Sequence, residues 1–213
     1  MHADFNVAIG PEEDALEFPW SSDDPDVRYF DLRRNPEHLL DVPEAYSPRE
    51  LGEFLNSVNG ASSLLESVKC DRWFTRELQT EDEVFGARCK ACSYVDMIFH
   101  EVERRFSFEG HEAFAQRLAE LMRRAPEISA GLEIVVRRCH YLRAPFAARV
   151  SAGEWAGKDF ESDPGFSLTL FLSGYGDDEA DAWQRWGIAT KLLQHALLQL
   201  AAVERGALPG TGS

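Results

Sequence analysis

Three stretches of the chain place apolar residues at helical spacing. The first covers residues 51–58 and stops at Gly60, and the second covers residues 109–125 and stops at Pro126. The third and longest covers residues 179–205 and begins among acidic residues, which favour the N-terminus of a helix. The pattern predicts three α-helices, the last with an apolar face broad enough to pack under a sheet.

The start of the first helix has the sequence of a capping box, Ser47-Pro48-Arg49-Glu50. In this motif the serine hydroxyl accepts a hydrogen bond from the Glu50 amide, and the Glu50 carboxylate accepts one from the serine amide. Tyr46 and Leu51 stand at the two positions of a hydrophobic staple. The sequence therefore predicts Ser47 as the N-cap and Pro48 as the first helical residue.

Further segments have the composition or the alternation of β-strands. They are residues 27–32, 67–78, 84–99, 132–142 and 166–173. Residues 79–82 form a polar turn between the second and third of these segments, as in a hairpin. The third segment is long for one strand, so Gly86 or the Cys89–Cys92 region is expected to break it or form a bulge.

The order of these elements indicates an α+β fold, in which consecutive strands with short connections pair antiparallel. We predict an antiparallel sheet of about five strands covered by two or three helices, including the long C-terminal helix. A single domain is expected over residues 27–205, with a short helix capped by Asn35 near its start and closed by Pro43.

Three regions are predicted to lack regular structure. Residues 1–26 hold eight acids, no lysine or arginine and three prolines, so we expect an acidic irregular arm of which part lies against the domain. Residues 144–165 are loop-like in composition, and residues 206–213 are expected to form a flexible tail. The tail contains the LPGTGS letters of a sortase signal but not the apolar and basic segments that such a signal also needs.

The net charge of −15 limits the partners of the chain. A negative field repels nucleic acid and anionic lipid and attracts basic proteins, and the acidic excess lies in residues 1–65 and 151–213. The sequence shows neither an export signal nor an apolar run of membrane-spanning length. We therefore expect a cytoplasmic protein with reduced cysteines that binds neither nucleic acid nor membranes.

The Cys89-Lys90-Ala91-Cys92 motif is the strongest candidate for chemistry. Cys70, Cys139, His100 or His140 are the residues that would complete a tetrahedral zinc site with it. However, the motif lacks the proline or glycine of a zinc knuckle, and residues three apart in a strand point to opposite faces. We therefore interpret these cysteines as buried structural residues and predict neither a metal nor a cofactor.

The other polar clusters have structural interpretations that outweigh functional ones. His100-Glu101 and His111-Glu112 lack the second histidine of a zincin motif, and Glu77, Glu81, Asp82 and Glu83 lack the spacing of a calcium loop. The pairs Arg104-Arg105, Arg123-Arg124 and Arg137-Arg138 are expected to balance acids within the chain, with a local anion site as the alternative. Gly174-Tyr175-Gly176 is followed by acids that would repel a phosphate, so it predicts no nucleotide site.

The order of elements, from Ser47-Pro48-Arg49-Glu50 through the 166–172 strand to the helix that carries Trp183 and Leu200, resembles bacterial type III secretion chaperones. The resemblance covers residues 47–205, whereas residues 1–46 and 144–165 depart from the pattern. It implies a small acidic α+β protein, commonly a dimer, that binds other polypeptides without hydrolysing them.

The functional expectation is a non-catalytic, chaperone-like or immunity-type protein that binds a basic or secreted polypeptide and associates as a homodimer. The alternative is an enzyme or small-molecule binder with a site assembled from scattered side chains, and the sequence assigns no catalytic residue. A deep apolar pocket with convergent polar groups would favour the alternative. A broad apolar patch rimmed by acids would favour the polypeptide binder.

Overall fold

The computed structural model describes residues 1–22, 24, 28–143 and 161–207. Within them, six β-strands form one sheet: β1 (His2–Ala8), β2 (Leu16–Phe18), β3 (Leu65–Thr75), β4 (Cys89–Phe99), β5 (Ala130–Leu142) and β6 (Ser162–Gly176). The three α-helices are α1 (Arg49–Val58), α2 (Phe108–Arg123) and α3 (Glu179–Ala207). Short 3-10 helices cover Pro36–Asp41, Pro43–Ala45, Thr80–Phe85 and Val102–Phe106.

The strand order across the sheet is β1-β5-β6-β4-β3, and β2 continues the β1 edge along β5. Strands β3, β4, β6 and β5 pair antiparallel, whereas β1 and β2 run parallel to β5. The predicted α+β class and the long C-terminal helix are confirmed. The sheet is mixed rather than wholly antiparallel, because the N-terminal segment adds a parallel edge.

All three helices cover one face of the sheet. The core between them contains Phe54 of α1, Phe114 of α2 and Trp186 of α3, each 1% exposed or less. The indole Nε1 of Trp186 donates to the Ser93 hydroxyl of β4 at 3.0 Å, so even the largest core residue has its polar atom satisfied. We call the other side of the sheet, against which no described α-helix packs, the open face. The N-terminal segment covers part of it, where a second cluster of buried residues contains Tyr29, Val68, Ile98, Cys139 and Tyr141, with Leu16, Phe18 and Trp20 packed against them.

Two glycines of β6 allow α3 to approach the sheet closely. A Cβ atom at Gly174 would lie 2.2 Å from the Trp186 backbone nitrogen, and one at Gly176 would lie 2.4 Å from the Ala182 nitrogen. Any side chain at either position would collide with backbone. The Gly174-Tyr175-Gly176 motif is therefore a packing motif of the sheet and α3.

The N-terminal arm differs from its prediction. Residues 1–26 were expected to be irregular, but His2–Ala8 and Leu16–Phe18 form β1 and β2 on the edge of the sheet. Phe5 and Val7 pack against the helix-covered core. These apolar side chains alternate with polar ones, and this alternation stabilises an edge strand despite the acidic composition.

The predicted cap at Ser47 is wrong. Helix α1 begins at Arg49 with Pro48 as its N-cap, and no side chain caps it. The Glu50 carboxylate lies 3.7 Å from the ammonium of Lys191 in α3 instead of returning to Ser47. Tyr46, the expected staple residue, is exposed. Tertiary packing against α3 therefore replaces the local capping motif.

Other element boundaries also differ from those predicted. Residues 28–32 form no strand, and Val27 lies outside the described residues. Gly86, with φ of 58°, ends the Thr80–Phe85 helix and separates it from β4, so the expected break lies there. Strand β6 begins at Ser162, inside the predicted loop. The remainder of that loop and the LPGTGS segment lie outside the described residues.

Candidate functional site on the open face

Strand register places side chains of the open face in rows that cross the sheet. One row contains Trp73, Cys92, Ser173, Gly131 and His2. The next contains Asp71, Tyr94, Phe171, Glu133 and Asp4, and the third contains Lys69, Asp96, Thr169, Val135 and Asn6. Directly opposed residues share a face, so these rows bring together residues from five strands.

A pocket of about 570 Å³ lies over the first two rows. Its floor has small side chains, since Cys92, Ser173 and Gly131 meet there. Aromatic rings and acidic side chains surround this floor: Trp73, Phe85, Phe171 and Tyr175, with Asp4, Glu81 and Glu133. We call this the acidic pocket.

A buried polar network fixes one wall of the acidic pocket. The carboxylate of Asp82, which is 5% exposed, accepts hydrogen bonds from the Lys90 ammonium at 2.7 Å and the Tyr175 hydroxyl at 2.7 Å. It also accepts one from the Gln79 amide at 2.9 Å. Burial alone would raise the pKa of Asp82, but these three bonds outweigh burial and lower it. Asp82 is therefore a structural anion and not part of the solvated tip expected from the sequence.

Stacked rings complete this wall. Phe85 lies parallel to Tyr175 with ring centroids 3.9 Å apart, and His2 meets Phe85 edge-on at 4.9 Å. Burial, followed by the hydrogen bond to Asp82, raises the pKa of Tyr175. The phenol therefore stays protonated at neutral pH, and the wall presents apolar ring surface to the pocket.

The charges around the pocket are predominantly negative. Glu81 and Glu133 are exposed and form no ion pair with another described residue. Asp4 pairs with Arg123 at 2.9 Å, but its carboxylate remains largely exposed. The Lys90 ammonium is already paired with Asp82. The pocket thus offers two carboxylates that pair with no described residue and lie beside aromatic rings, an arrangement that favours cations.

A smaller cavity of about 250 Å³ lies in the middle of the open face. Asp96 lies in its wall and accepts a hydrogen bond from the Thr169 hydroxyl. Burial raises the pKa of Asp96, and Thr169, Arg137 and Lys69 oppose that rise only in part. The Nε of Arg137 and the hydroxyl of Ser167, which faces it across the strands, are buried and have no hydrogen-bond partner within the described part of the chain.

A third cavity, of about 750 Å³, lies at the opposite end of the open face from the acidic pocket. Arg33, Arg34, Arg105 and His100 line it, together with the acids Asp31 and Glu66. We call it the basic pocket.

The acids of the basic pocket are already engaged. The Arg105 guanidinium contacts the Glu66 carboxylate at 2.9 Å, and burial raises the pKa of Glu66 in spite of this partner. Asp31 accepts a hydrogen bond from the Arg34 amide and lies 3.6 Å from its guanidinium.

One cationic group of the basic pocket, the guanidinium of Arg33, has no acidic partner among the described residues. Arg33 donates to the Gly60 carbonyl at 3.2 Å but has no carboxylate partner there. Burial, and then the charge of Arg33, lower the pKa of His100, so its imidazole is neutral at neutral pH. A positive cavity in a strongly acidic chain is a candidate anion site.

The cysteines are separated as the strand geometry predicts. Cys89 lies on the helix-covered face and its thiol contacts the Gly176 carbonyl, whereas Cys92 lies on the open face beside Ser173. Burial raises the pKa of the Cys70 thiol and of the Cys139 thiol to about 12. These thiols are protonated at neutral pH and are poor nucleophiles.

The histidine and arginine predictions have mixed outcomes. His111 is fully buried in the core and its Nδ1 lies 2.8 Å from the Ser107 carbonyl, so its role is structural. Arg104, Arg105 and Arg123 pair with acids of the chain, as expected from the charge balance. Arg105 also lines the basic pocket, where it contacts Glu66.

The described ranges contain neither a metal-binding cluster nor a membrane-spanning helix. Residues 1–22, 24, 28–143 and 161–207 contain no group of three His, Cys, Asp or Glu side chains placed to hold a metal ion. None of the helices in these ranges is long and apolar enough to cross a membrane. Comparison of the chain with protein-family models, curated proteins and solved structures finds no match.

The acidic pocket was not predicted from the sequence. Its walls come from His2, Glu81, Glu133 and Tyr175, which are distant in sequence and meet only through strand register. A local signal did exist, since residues 79–83 have an acidic composition. Recognising the pocket also required knowing that the N-terminal segment pairs with β5.

Proposed function

We propose that this protein binds a basic segment of another polypeptide in the acidic pocket, without catalysing a reaction. The proposal rests on a cavity of about 570 Å³ that is lined both by aromatic rings and by carboxylates. These carboxylates, of Glu81 and Glu133, form no ion pair with another described residue. Such a cavity accommodates a lysine or arginine side chain, whose alkyl stem packs on rings while its charged end meets Glu81 and Glu133.

The open face suits this role better than the sheet edges. On both edge strands, a side chain accepts the amide hydrogen of the next residue: Asp4 from Phe5 at 3.0 Å, Asn6 from Val7 at 2.7 Å and Asp71 from Arg72 at 2.7 Å. An occupied amide is a weaker template for an added strand. A partner is therefore expected to dock on the face rather than extend the sheet.

The ionisable groups of the described residues favour binding over nucleophilic chemistry. The cysteine thiols have raised pKa values because of burial, and the buried phenols of Tyr29 and Tyr141 are shifted in the same direction. Each group is held in its protonated, unreactive form at neutral pH. This supports the proposal of a binding protein.

The test uses hexalysine as a minimal basic ligand and hexaglutamate as the opposite charge. Isothermal titration calorimetry with the full chain should detect hexalysine binding that weakens between about 0.05 and 0.5 M NaCl, because salt screens the rim charges. The double substitution Glu81→Gln/Glu133→Gln should weaken binding about tenfold, and Trp73→Ala several-fold.

The matched control is Glu109→Gln/Glu120→Gln, which removes the same charge from exposed positions of α2 on the other side of the sheet. It should leave hexalysine affinity within about twofold of the unmodified chain, as expected when only long-range charge is lost. Equal losses in both double variants would show that net charge, and not the acidic pocket, attracts the peptide. Binding of hexaglutamate would refute the proposal outright.

A second candidate function is small-molecule binding in the central cavity. Asp96 supports it, since a half-buried carboxyl with a raised pKa beside Arg137 and Lys69 resembles a ligand-orienting acid. A fragment screen by NMR should then yield ligands that bind the full chain and not the Asp96→Asn variant. Fragments that bind both proteins equally would exclude this role for Asp96.

A further inference from the structure

We propose that two copies of the chain associate through their open faces, with the acidic pocket of each copy against the basic pocket of the other. This inference rests on the proposed function, because the acidic pocket is the same site. It adds a partner and a mode of regulation: the second copy occupies the pocket until a basic polypeptide displaces it.

The two pockets are complementary in charge and lie at opposite ends of one face. The acidic pocket lies over Cys92, whereas the basic pocket adjoins Glu66, which faces Ile98 in the register. The six residue steps from Cys92 to Ile98 correspond to about 20 Å along β4. The open face is thus polarised along the strand direction, with acids at one end and arginines at the other.

A two-fold axis fits this polarity. An axis that lies in the interface at right angles to the strands reverses the strand direction between the copies, so each acidic end meets a basic end. The contact is isologous, and it forms twice in a closed dimer. An axis parallel to the strands would instead bring together like charges.

The basic pocket provides side chains that can reach across such an interface. The Arg34 side chain is 86% exposed, and its neighbour Arg33 has no carboxylate partner among the described residues. An arginine stem and guanidinium fit the acidic pocket of the second copy, where Glu81 and Glu133 form no ion pair with another described residue. Bidentate contact between a guanidinium and a carboxylate provides the orientation.

Part of the open face is already covered by the chain itself, since Leu16, Phe18 and Trp20 pack against buried residues there. The contact with a second copy is therefore made by the uncovered part around the acidic pocket and by the exposed arginine of the basic pocket. The uncovered part of the face carries Trp73, 40% exposed, and the half-buried rings of Tyr94 and Phe171. Aromatic residues of this kind are enriched at protein interfaces.

Net charge opposes association, since each copy carries −15. At about 0.15 M ionic strength the Debye length is about 8 Å, so distant charges are screened while contacting charges retain most of their attraction. Local complementarity therefore decides the outcome at physiological salt.

The experiment is a charge swap measured by sedimentation velocity at that salt concentration. One variant carries Glu81→Lys and Glu133→Lys, and the other carries Arg33→Glu and Arg34→Glu. Each variant alone should sediment as a monomer of 24.0 kDa. In a dimer of one variant, both pocket-to-pocket contacts would bring side chains of the same charge together. An equimolar mixture should form a heterodimer. The new lysines of one variant then face the new glutamates of the other, and the unmodified basic pocket of the first faces the unmodified acidic pocket of the second.

Circular dichroism must show that both variants are folded. If Arg33→Glu disturbs the contact with Gly60, the single substitution Arg34→Glu at the exposed position replaces the pair in the same experiment. The matched control, Glu109→Lys/Glu120→Lys on α2, changes net charge by the same amount and should remain a dimer.

The outcomes separate this inference from the proposed function. An unmodified chain that is monomeric at high micromolar concentration overturns the inference, as does a mixture of variants that stays monomeric. If hexalysine still binds that monomer in the acidic pocket, the proposed function stands alone. If the dimer forms and hexalysine neither binds nor dissociates it, the dimer survives and the proposed function fails.

Discussion

Lys90 donates a 2.7 Å hydrogen bond to the carboxylate of Asp82, and only 17% of the Lys90 side chain and 6% of the Asp82 side chain are exposed. The pair ties the Thr80–Phe85 helix to β4 and thereby holds Phe85 against Tyr175. A charged pair with this degree of burial is stable only while both members are present, because either one alone is a buried, unpaired ion.

The first prediction concerns the loss of this anion. Asp82→Asn should lower the free energy of unfolding by about 2–4 kcal/mol, since the ammonium of Lys90 loses its counter-charge in a buried site. Urea denaturation at pH 7 measures the change. Glu81→Gln is the matched control at the neighbouring exposed position and should change the unfolding free energy by less than about 0.5 kcal/mol. Equal midpoints for the two variants would contradict the burial of Asp82.

The second prediction contrasts two serines. Ser107 caps α2, and its hydroxyl accepts a hydrogen bond from the Gly110 amide at 3.0 Å. Ser107→Ala should therefore cost about 1 kcal/mol of unfolding free energy. Ser47→Ala should cost much less, because Ser47 caps no helix in the structure. Thermal or urea denaturation of the two variants compares them directly, and the reverse ranking would restore the capping box at Ser47.

The helices were predictable because their signals are local. Leu51, Phe54 and Val58 repeat with the helical period. The acidic residues before α3 stabilise its N-terminus through the helix dipole, whatever the tertiary structure. In the structure, the Asp178 carboxylate accepts a hydrogen bond from the Asp181 amide at 2.9 Å. The sequence also placed Cys89 and Cys92 on opposite faces, because alternation along a strand is a local property.

The remainder depended on contacts that composition does not encode. Phe5 pairs with Ile134 in a parallel register, and no local pattern identifies a partner so distant in sequence. The burial of Asp82 depends on Tyr175, which approaches it only through the register of β4 and β6. Both pockets of the open face arise in this way, so the sequence predicted the charges of the site and not their arrangement.

The third prediction tests the close approach of the sheet and α3. Gly174→Ala should be strongly destabilising, by more than about 3 kcal/mol, because its Cβ would collide with the backbone nitrogen of Trp186. Gly206→Ala is the matched control, since nothing lies within 4 Å of a Cβ there and alanine favours the helix. Yields of folded protein and melting temperatures give the comparison, and tolerance of Gly174→Ala would show that α3 packs farther from β6.

The last prediction concerns pH and His111. Burial lowers the pKa of His111, although the hydrogen bond to the Ser107 carbonyl opposes this. In the unfolded chain the imidazole has a pKa near 6.5, so below about pH 6.5 the unfolded state binds more protons than the folded state. The contribution of His111 to stability is therefore fully present above that pH and decreases as the pH falls toward its lower folded pKa.

Urea midpoints measured from about pH 7.5 to 5.5 should fall more steeply for the unmodified chain than for His111→Gln, which has no proton to bind. Parallel profiles would mean that the pKa of His111 is the same in the folded and the unfolded chain, which would contradict the effect of its burial.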